Sequence, residues 1–161
     1  MQKKKAAEKK IQLTKESLAN HGKYYAITTN NEAWRLSENA STELEKEAIL
    51  AQAFTSLYHW RKVGKPANVY MAYVIVARAL AINGAGELAL EYAEKALNFF
   101  DGKGEPWIQA FCNLMVANAY SVMGKKRNFK KYWAIAEEIG GKLNEKEQKV
   151  FNATKNTIEQ I

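Results

Sequence analysis

The chain has 161 residues, of which 47% are apolar and 25% are charged, and these values are typical of one ordinary globular domain. A single cysteine, Cys112, excludes a disulfide scaffold within the chain. No apolar run approaches the roughly 20 residues that cross a bilayer, and the first residues are charged without the apolar core of a signal peptide. We therefore expect one cytoplasmic domain that contacts no membrane.

The net charge is +7, and its distribution is uneven. Residues 1–23 carry seven lysines against two glutamates, and a second basic cluster contains Lys125, Lys126, Arg127, Lys130 and Lys131. Most such clusters are solvated helix faces. The alternative is a basic surface that contacts a nucleic acid or another acidic ligand.

Apolar spacing and helix-ending residues predict about eight helices joined by short loops. The expected ranges are 3–20, 24–39, 43–63, 66–82, 86–100, 106–123, 126–139 and 143–161. Short loops force consecutive helices to lie antiparallel. The sequence therefore predicts an all-α fold built from stacked helical hairpins.

The predicted helix starts have local signatures. Thr42 with Glu45, and Asn144 with Glu147, have the spacing of a capping box. Both prolines fall in a predicted first turn, where their missing N–H would be unpaired anyway. His21-Gly22 is expected to end the first helix.

Two predicted helices carry apolar stripes that we expect to face inward. In the helix at 43–63 the stripe contains Leu44, Ala48, Ala51, Phe54 and Tyr58. The helix at 143–161 has Val150, Phe151 and Ile158 on one side and charged or amide side chains on the other. That polarity is what the last helix of a stack needs, since its outer face meets solvent.

Segment 70–101 carries small residues at Ala77, Ala89 and Ala96 and a glycine at Gly84. These are the places where a tetratricopeptide repeat has small residues and a turn glycine, so the segment resembles that family. Small side chains let paired helices approach closely, while larger ones fill the space beside them.

Segment 110–140 repeats this pattern with Ala117, Tyr120, Gly124 and Ala136, although Phe129 replaces the first alanine of its second helix. Gly124 follows Gly84 by 40 residues, whereas a strict tandem array repeats about every 34. A longer loop at 101–106 accounts for the difference.

The resemblance implies a right-handed stack whose concave groove, lined by first helices, binds peptides or proteins. The groove-facing residues would be Met71, Val74, Arg78, Phe111, Leu114, Asn118 and Ser121. For the four apolar ones, simple burial in the core is the alternative. Arg78 lies in the apolar run VIVARALAI, so it either faces the groove or meets a glutamate. The pair Arg78 and Asn118 resembles the family's way of holding an acidic ligand group.

No catalytic, cofactor or metal-binding constellation is recognisable in the sequence. The nucleophile, base and orienting group of covalent catalysis are not found together, and no Cys, His or carboxylate cluster has zinc-ligand spacing. Cys112 lies in an apolar helix, where we expect an inert buried thiol. We therefore predict that the chain is not an enzyme.

Gln52, Thr55 and His59 share one face of the helix at 43–63. With their aromatic neighbours they could line a small-molecule pocket, or His59 could hold neighbouring helices together.

The sequence thus predicts a protein- or peptide-binding module acting as a scaffold, adaptor or regulatory subunit, and it does not identify the partner. A second copy of the chain is an alternative partner. Nucleic-acid binding through residues 125–131 and a small-molecule sensor near His59 are the alternative functions.

Overall fold

A computed structural model describes residues 14–161, which form seven α-helices and no strand. The helices are α1 (Lys15–Ser37), α2 (Glu43–Val63), α3 (Pro66–Ile82), α4 (Gly86–Phe100), α5 (Pro106–Val122), α6 (Lys126–Gly140) and α7 (Glu145–Lys155). The all-α fold class is confirmed.

Consecutive helices pack side by side as the hairpins α1–α2, α3–α4 and α5–α6. In addition, α1 packs on α3, α3 on α5 and α5 on α7. The odd-numbered helices therefore form a continuous layer, whose surface we call the odd-helix face.

Helices α3 and α5 lie at the centre of the fold. Helix α5 has no charged residue and buries eleven of its 17 residues, whereas α3 has one charged residue, Arg78, and buries nine of 17. A helix that is apolar on all sides is stable only when other elements surround it. The composition of these two helices thus explains their central position.

The α3–α4 and α5–α6 hairpins share one turn geometry. Gly84 and Gly124 both have positive φ angles, 75° and 66°, and only glycine adopts this region without strain. In the first turn the Ala85 N–H donates to Leu80 O at 3.0 Å, and in the second the Lys125 N–H donates to Tyr120 O at 2.9 Å. These bonds satisfy carbonyls that the helix end leaves free.

Helix α1 is continuous where the sequence predicts a break at His21-Gly22. Gly22 is buried within the helix, and a Cβ built there would lie 3.0 Å from Cγ1 of Val63. The glycine therefore permits close approach of α1 and α2, and the prediction that it ends a helix is wrong. Residues 3–13 of the predicted first helix lie outside the described residues.

The predicted inward stripe of α2 is also wrong. Leu44, Phe54 and Tyr58 are exposed, whereas Ile49 and Leu57 lie in the core. The face of α2 that contains Ile49, Ala53 and Leu57 packs between α1 and α3. Leu44, Phe54 and Tyr58 lie toward solvent.

The last helix ends at Lys155, six residues before the predicted end. The hydroxyl of Thr157 donates to Thr154 O at 2.7 Å, a local bond of the kind that competes with helical hydrogen bonding. Residues 156–161, which we call the C-terminal segment, then return to the fold and bury Ile158. Val150, expected to face inward, is exposed.

Candidate functional site

Two neighbouring pockets open on the odd-helix face. The first has a volume of about 410 Å³ and mostly apolar walls, and we call it the apolar pocket. Its lining residues come from α1, α3, α5 and the α7 region: Trp34, Glu38, Met71, Val74, Trp107, Ile108, Phe111, Asn144, Lys146, Glu147, Val150 and Thr154.

Phe111 lies at the junction of these helices. Its ring centre is 5.6 Å from that of Trp34 in α1 and 5.7 Å from that of Phe151 in α7, with edge-to-face geometry in both pairs. Such pairs contribute about 0.5–1.5 kcal/mol beyond the area that they bury. Phe111 therefore helps to hold α7 across the odd-helix face, so that α7 becomes one wall of the pocket.

The rim of the apolar pocket carries charge of both signs. Glu38 and Lys146 are exposed, Glu147 is half-buried, and Val150 exposes its apolar side chain beside them. The deeper wall includes half-buried Trp107, whose apolar surface remains in contact with solvent. This arrangement can remove one or two large apolar groups from water while polar groups at the rim fix their orientation.

The second pocket has a volume of about 490 Å³, and we call it the polar pocket. Helices α1, α2, α3 and α5 contribute to it together with the C-terminal segment. Its polar lining residues are Ser37, Glu38, Lys46, Arg78, Asn118, Ser121, Thr157 and Glu159, and its apolar ones are Ala40, Ala81, Ile82 and Val122.

Arg78 is buried beside this pocket, with only 4% of its surface exposed. Its Nη2 donates to Ser37 O at 3.2 Å and to the hydroxyl of Thr157, whereas Nε has no partner among residues 14–161. No ion pair in this part of the chain includes it. Burial lowers the pKa of the guanidinium to about 10, so the group remains charged at neutral pH.

Asn118 and Ser121 follow Arg78 along the polar pocket. Asn118 is buried, and its Nδ2 has no partner within the described chain. Ser121 donates its hydroxyl to Glu159 O. The C-terminal segment is therefore bound to the polar half of the odd-helix face through Thr157 and Glu159.

The predicted groove residues are mostly brought together. Met71, Val74 and Phe111 line the apolar pocket, and Arg78, Asn118 and Ser121 line the polar one. Leu114 lines neither, because it is fully buried in the cluster that also contains Phe151 and Ile158. Its predicted groove position is wrong, since α7 and the C-terminal segment cover this part of α5.

His59, Gln52 and Thr55 are half-buried and line neither pocket. The ring of His59 stacks on Tyr25 of α1, with centres 5.5 Å apart and an angle of 28° between planes. Thr55 donates its hydroxyl to Ala51 O within its own helix. The contact of His59 is thus one that joins α1 to α2.

The five residues of the basic cluster, Lys125, Lys126, Arg127, Lys130 and Lys131, are all exposed at the start of α6. The Lys131 ammonium lies 5.2 Å from the ring centre of Tyr132. Trp133 is buried with Phe129, so this tryptophan belongs to the core. The basic cluster is therefore a solvated surface separate from both pockets.

The sequence interpretation missed several pocket residues. Trp107 lies four residues before Phe111, a spacing that places both on one side of α5, so this residue could have been identified. Thr157 and Glu159 could not, because their contacts with α3 and α5 depend on how the chain turns after Lys155.

From Thr14 to Ile161, no group of three or more His, Cys, Asp or Glu side chains could hold a metal ion. Cys112 is fully buried, and burial raises the pKa of its thiol to about 12, so the thiol stays protonated at neutral pH. Within the same residues, no helix combines the length and apolar character that crossing a membrane requires.

Comparison with protein-family models, with curated proteins and with solved structures found no match to this chain.

Proposed function

We propose that this chain is a protein- or peptide-binding module of the tetratricopeptide-repeat type, acting as a scaffold, adaptor or regulatory subunit. The partner inserts a large apolar side chain into the apolar pocket. The observation that carries the proposal is this pocket, in which Trp34, Trp107 and Phe111 present aromatic surface from two helices.

The size and chemistry of the pocket support a side-chain guest. Its volume of about 410 Å³ lies toward the lower end of the roughly 300–1,000 Å³ typical of ligand sites. Burial of one large apolar side chain contributes about 1.5–3 kcal/mol, and aromatic side chains dominate the energy of many interfaces. Charges at the rim, Glu38 and Lys146, would select the residues that flank the guest.

The proposal also includes two predictions, one about catalysis and one about cellular location. A binding module needs neither nucleophile nor cofactor, and we predict no enzymatic activity. A cytoplasmic location agrees with the single buried thiol, Cys112.

The test is selection of peptides from a displayed random library on the full chain, followed by titration of selected peptides with tryptophan fluorescence as the readout. Trp34 and Trp107 line the pocket, so occupancy should change their emission. We expect the selected sequences to share one large apolar residue. Peptides without a common apolar residue, or binding that leaves the emission unchanged, would contradict the proposal.

Two matched variants locate the binding surface. Val150→Asp places a charge on the rim of the apolar pocket, and Leu44→Asp places the same charge on an exposed position of α2. We expect an affinity loss of about tenfold or more for the first, since a charge there must be desolvated on binding, and no loss for the second. Equal effects of the two would rule out the pocket.

The same protein can also be tested for binding to a nucleic acid. If an oligonucleotide binds more tightly than any selected peptide, its affinity should fall steeply with salt through released counterions. Lys126→Glu and Lys130→Glu would then abolish binding, and the basic cluster would replace the apolar pocket as the working surface. Binding through an apolar side chain should instead tolerate salt.

A further inference from the structure

Three tyrosines are exposed together on the α1–α2 hairpin. Tyr24 and Tyr25 of α1 and Tyr58 of α2 expose 62%, 50% and 58% of their surface. The ring of His59 joins them, since it stacks on Tyr25 and meets Tyr58 edge to face, with ring centres 5.5 and 5.3 Å apart. Tyr24 extends the row, because its ring centre lies 5.5 Å from that of Tyr25. We call these four contiguous rings the tyrosine surface.

The helices beneath the tyrosine surface are closely packed. A Cβ built on Gly22 would lie 3.8 Å from Nδ1 of His59, so the imidazole lies over a part of α1 that has no side chain. The hydroxyl of Ser56 donates to Ala26 O at 2.8 Å and joins the two helices through a buried bond. None of the three tyrosines belongs to either cluster of the hydrophobic core. The rings are therefore not needed to fill the core, and contiguous exposed apolar surface of this kind marks interaction sites.

The two helices carry no negative charge around these rings. Helix α1 has no acidic residue between Glu16 and Glu32, and α2 has none after Glu47. All four rings lie within these two stretches. A polyanion that approaches the tyrosine surface therefore meets no carboxylate of either stretch that would repel it.

Lysines supply positive charge beside the same rings. The ammonium of Lys62 lies 5.6 Å from the ring centre of Tyr58. Lys23 precedes Tyr24 in α1, and Lys65 follows the end of α2. All three lysines are exposed, and none pairs with a carboxylate in residues 14–161. The tyrosine surface thus combines exposed rings with cations that are free to bind anions.

We propose that the tyrosine surface binds single-stranded nucleic acid. Unpaired bases stack on exposed aromatic rings whatever their identity, and phosphates are held by the adjacent lysines. A duplex keeps its bases stacked on one another, so their faces are closed to these rings. None of the four rings lines the apolar or the polar pocket, so this inference does not rest on the proposed peptide binding.

The direct test measures binding of the full chain to labelled oligonucleotides by fluorescence anisotropy. The three ligands are a single strand of deoxythymidines, an abasic strand of the same length and a duplex of the same length. The abasic strand keeps the phosphates and lacks the bases, so we expect it to bind about fivefold or more weakly than the single strand. Equal affinity for these two strands, or tighter binding of the duplex, would overturn the proposal.

Tyr24→Leu and Tyr58→Leu test the rings without changing the net charge. Each should lower the affinity for the single strand about fivefold or more, with the abasic strand and the melting temperature unaffected. Tyr132→Leu is the control, since it removes a tyrosine beside Lys131 of the basic cluster, and it should keep the affinity. An equal loss in the control would overturn the site. So would lower melting temperatures with full affinity in the first two variants, which would mean that residues 1–13 or a second copy covers the rings.

Two pairs of lysine variants locate the phosphate contacts. Lys62→Gln and Lys65→Gln should each reduce the slope of log affinity against log salt by about 0.7, the value for one phosphate contact on a single strand. Lys126→Gln and Lys130→Gln lower the net charge equally and should leave this slope unchanged. The opposite pattern would place the nucleic acid on the basic cluster and overturn the proposal. Vesicles of phosphatidylserine and phosphatidylcholine test a lipid source of the phosphates, and loss of vesicle binding in the tyrosine variants without loss of strand binding would also overturn it.

Discussion

The ring of Phe151 occupies the space where a side chain of residue 140 would be. A Cβ built on Gly140 would lie 2.4 Å from Cε1 of Phe151 and 2.8 Å from Cδ1. Gly140 is the last residue of α6, and Phe151 lies in the middle of α7. The absence of a side chain at one position thus allows the last helix to pack closely on the fold and to form a wall of the apolar pocket.

Gly140→Ala should therefore destabilise the protein, although alanine is normally better than glycine in a helix by about 0.5–1 kcal/mol. We expect a loss of about 1–3 kcal/mol from overpacking, measured by urea unfolding. In the Phe151→Ala background the clash is gone, and the same Gly140→Ala change should become neutral or stabilising. A destabilisation of equal size in both backgrounds would show that the ring contact is not its cause.

Ala89→Leu tests the close approach of α3 and α4. Ala89 is fully buried in α4, so three additional carbon atoms must displace neighbours, at about 1–3 kcal/mol. Ala51→Leu makes the same change at an exposed position of α2 and should alter stability by less than about 0.5 kcal/mol. Equal melting temperatures for Ala89→Leu and the unmodified protein would show that this helix pair tolerates large residues.

The local elements of this fold were predictable because their signals lie within a few residues. Thr42 and Glu45 form the capping box that their spacing predicts, and Asn144 and Glu147 form another. Gly84 and Gly124 close turns because each adopts a positive φ angle, which only glycine does without strain. Each of these caps and turns depends only on residues that lie close together in the sequence.

The predictions that are wrong concern residues whose surroundings depend on distant parts of the chain. Gly22 looks like a helix end, but contact with Val63 in α2 keeps it inside α1. Leu114 is buried and does not face a groove, because it packs in one cluster with Phe151 of α7 and Ile158 of the C-terminal segment, and spacing alone does not position these two elements. The same segment brings Thr157 to Arg78, a contact across 79 residues of sequence.

The cap of α2 gives a prediction about pH. The carboxylate of Glu45 accepts from the backbone N–H groups of Ser41 and Thr42, both at 2.9 Å, and from the Thr42 hydroxyl at 3.0 Å. These bonds, the one from Ser41 first, lower the pKa of Glu45 from 4.5 to about 2. A carboxyl with a lowered folded-state pKa stabilises the fold above its unfolded pKa, and this contribution is lost as the pH falls from about 4.5 to about 2.

Glu45→Gln should therefore melt at a lower temperature than the unmodified protein at pH 7, and the two should converge as the pH approaches 2. Circular dichroism melts at intervals of one pH unit measure the difference. Glu47→Gln removes the same charge from an exposed position of α2 that pairs with no cation among residues 14–161, and it controls for net charge. A constant difference between Glu45→Gln and the unmodified protein from pH 7 to pH 2 would contradict the role of the ionised carboxylate.

The last prediction concerns the C-terminal segment, which lines the polar pocket and buries Ile158 in the core. Ile158 is buried in the same cluster as Phe111 and Leu114, whereas Val150 is exposed on α7. Ile158→Ala should lower the free energy of unfolding by about 2–5 kcal/mol, because it removes buried methyl groups and leaves a cavity. Val150→Ala removes methyl groups that remain in contact with water, so its effect should stay below about 0.5 kcal/mol.

Deletion of residues 143–161 goes further, since it uncovers apolar residues of α5 and α6 and should cause aggregation. Equal stabilities for Ile158→Ala and Val150→Ala would mean that the segment does not dock, and a soluble, monomeric 143–161 deletion with unchanged stability would mean that α7 is not needed to complete the fold.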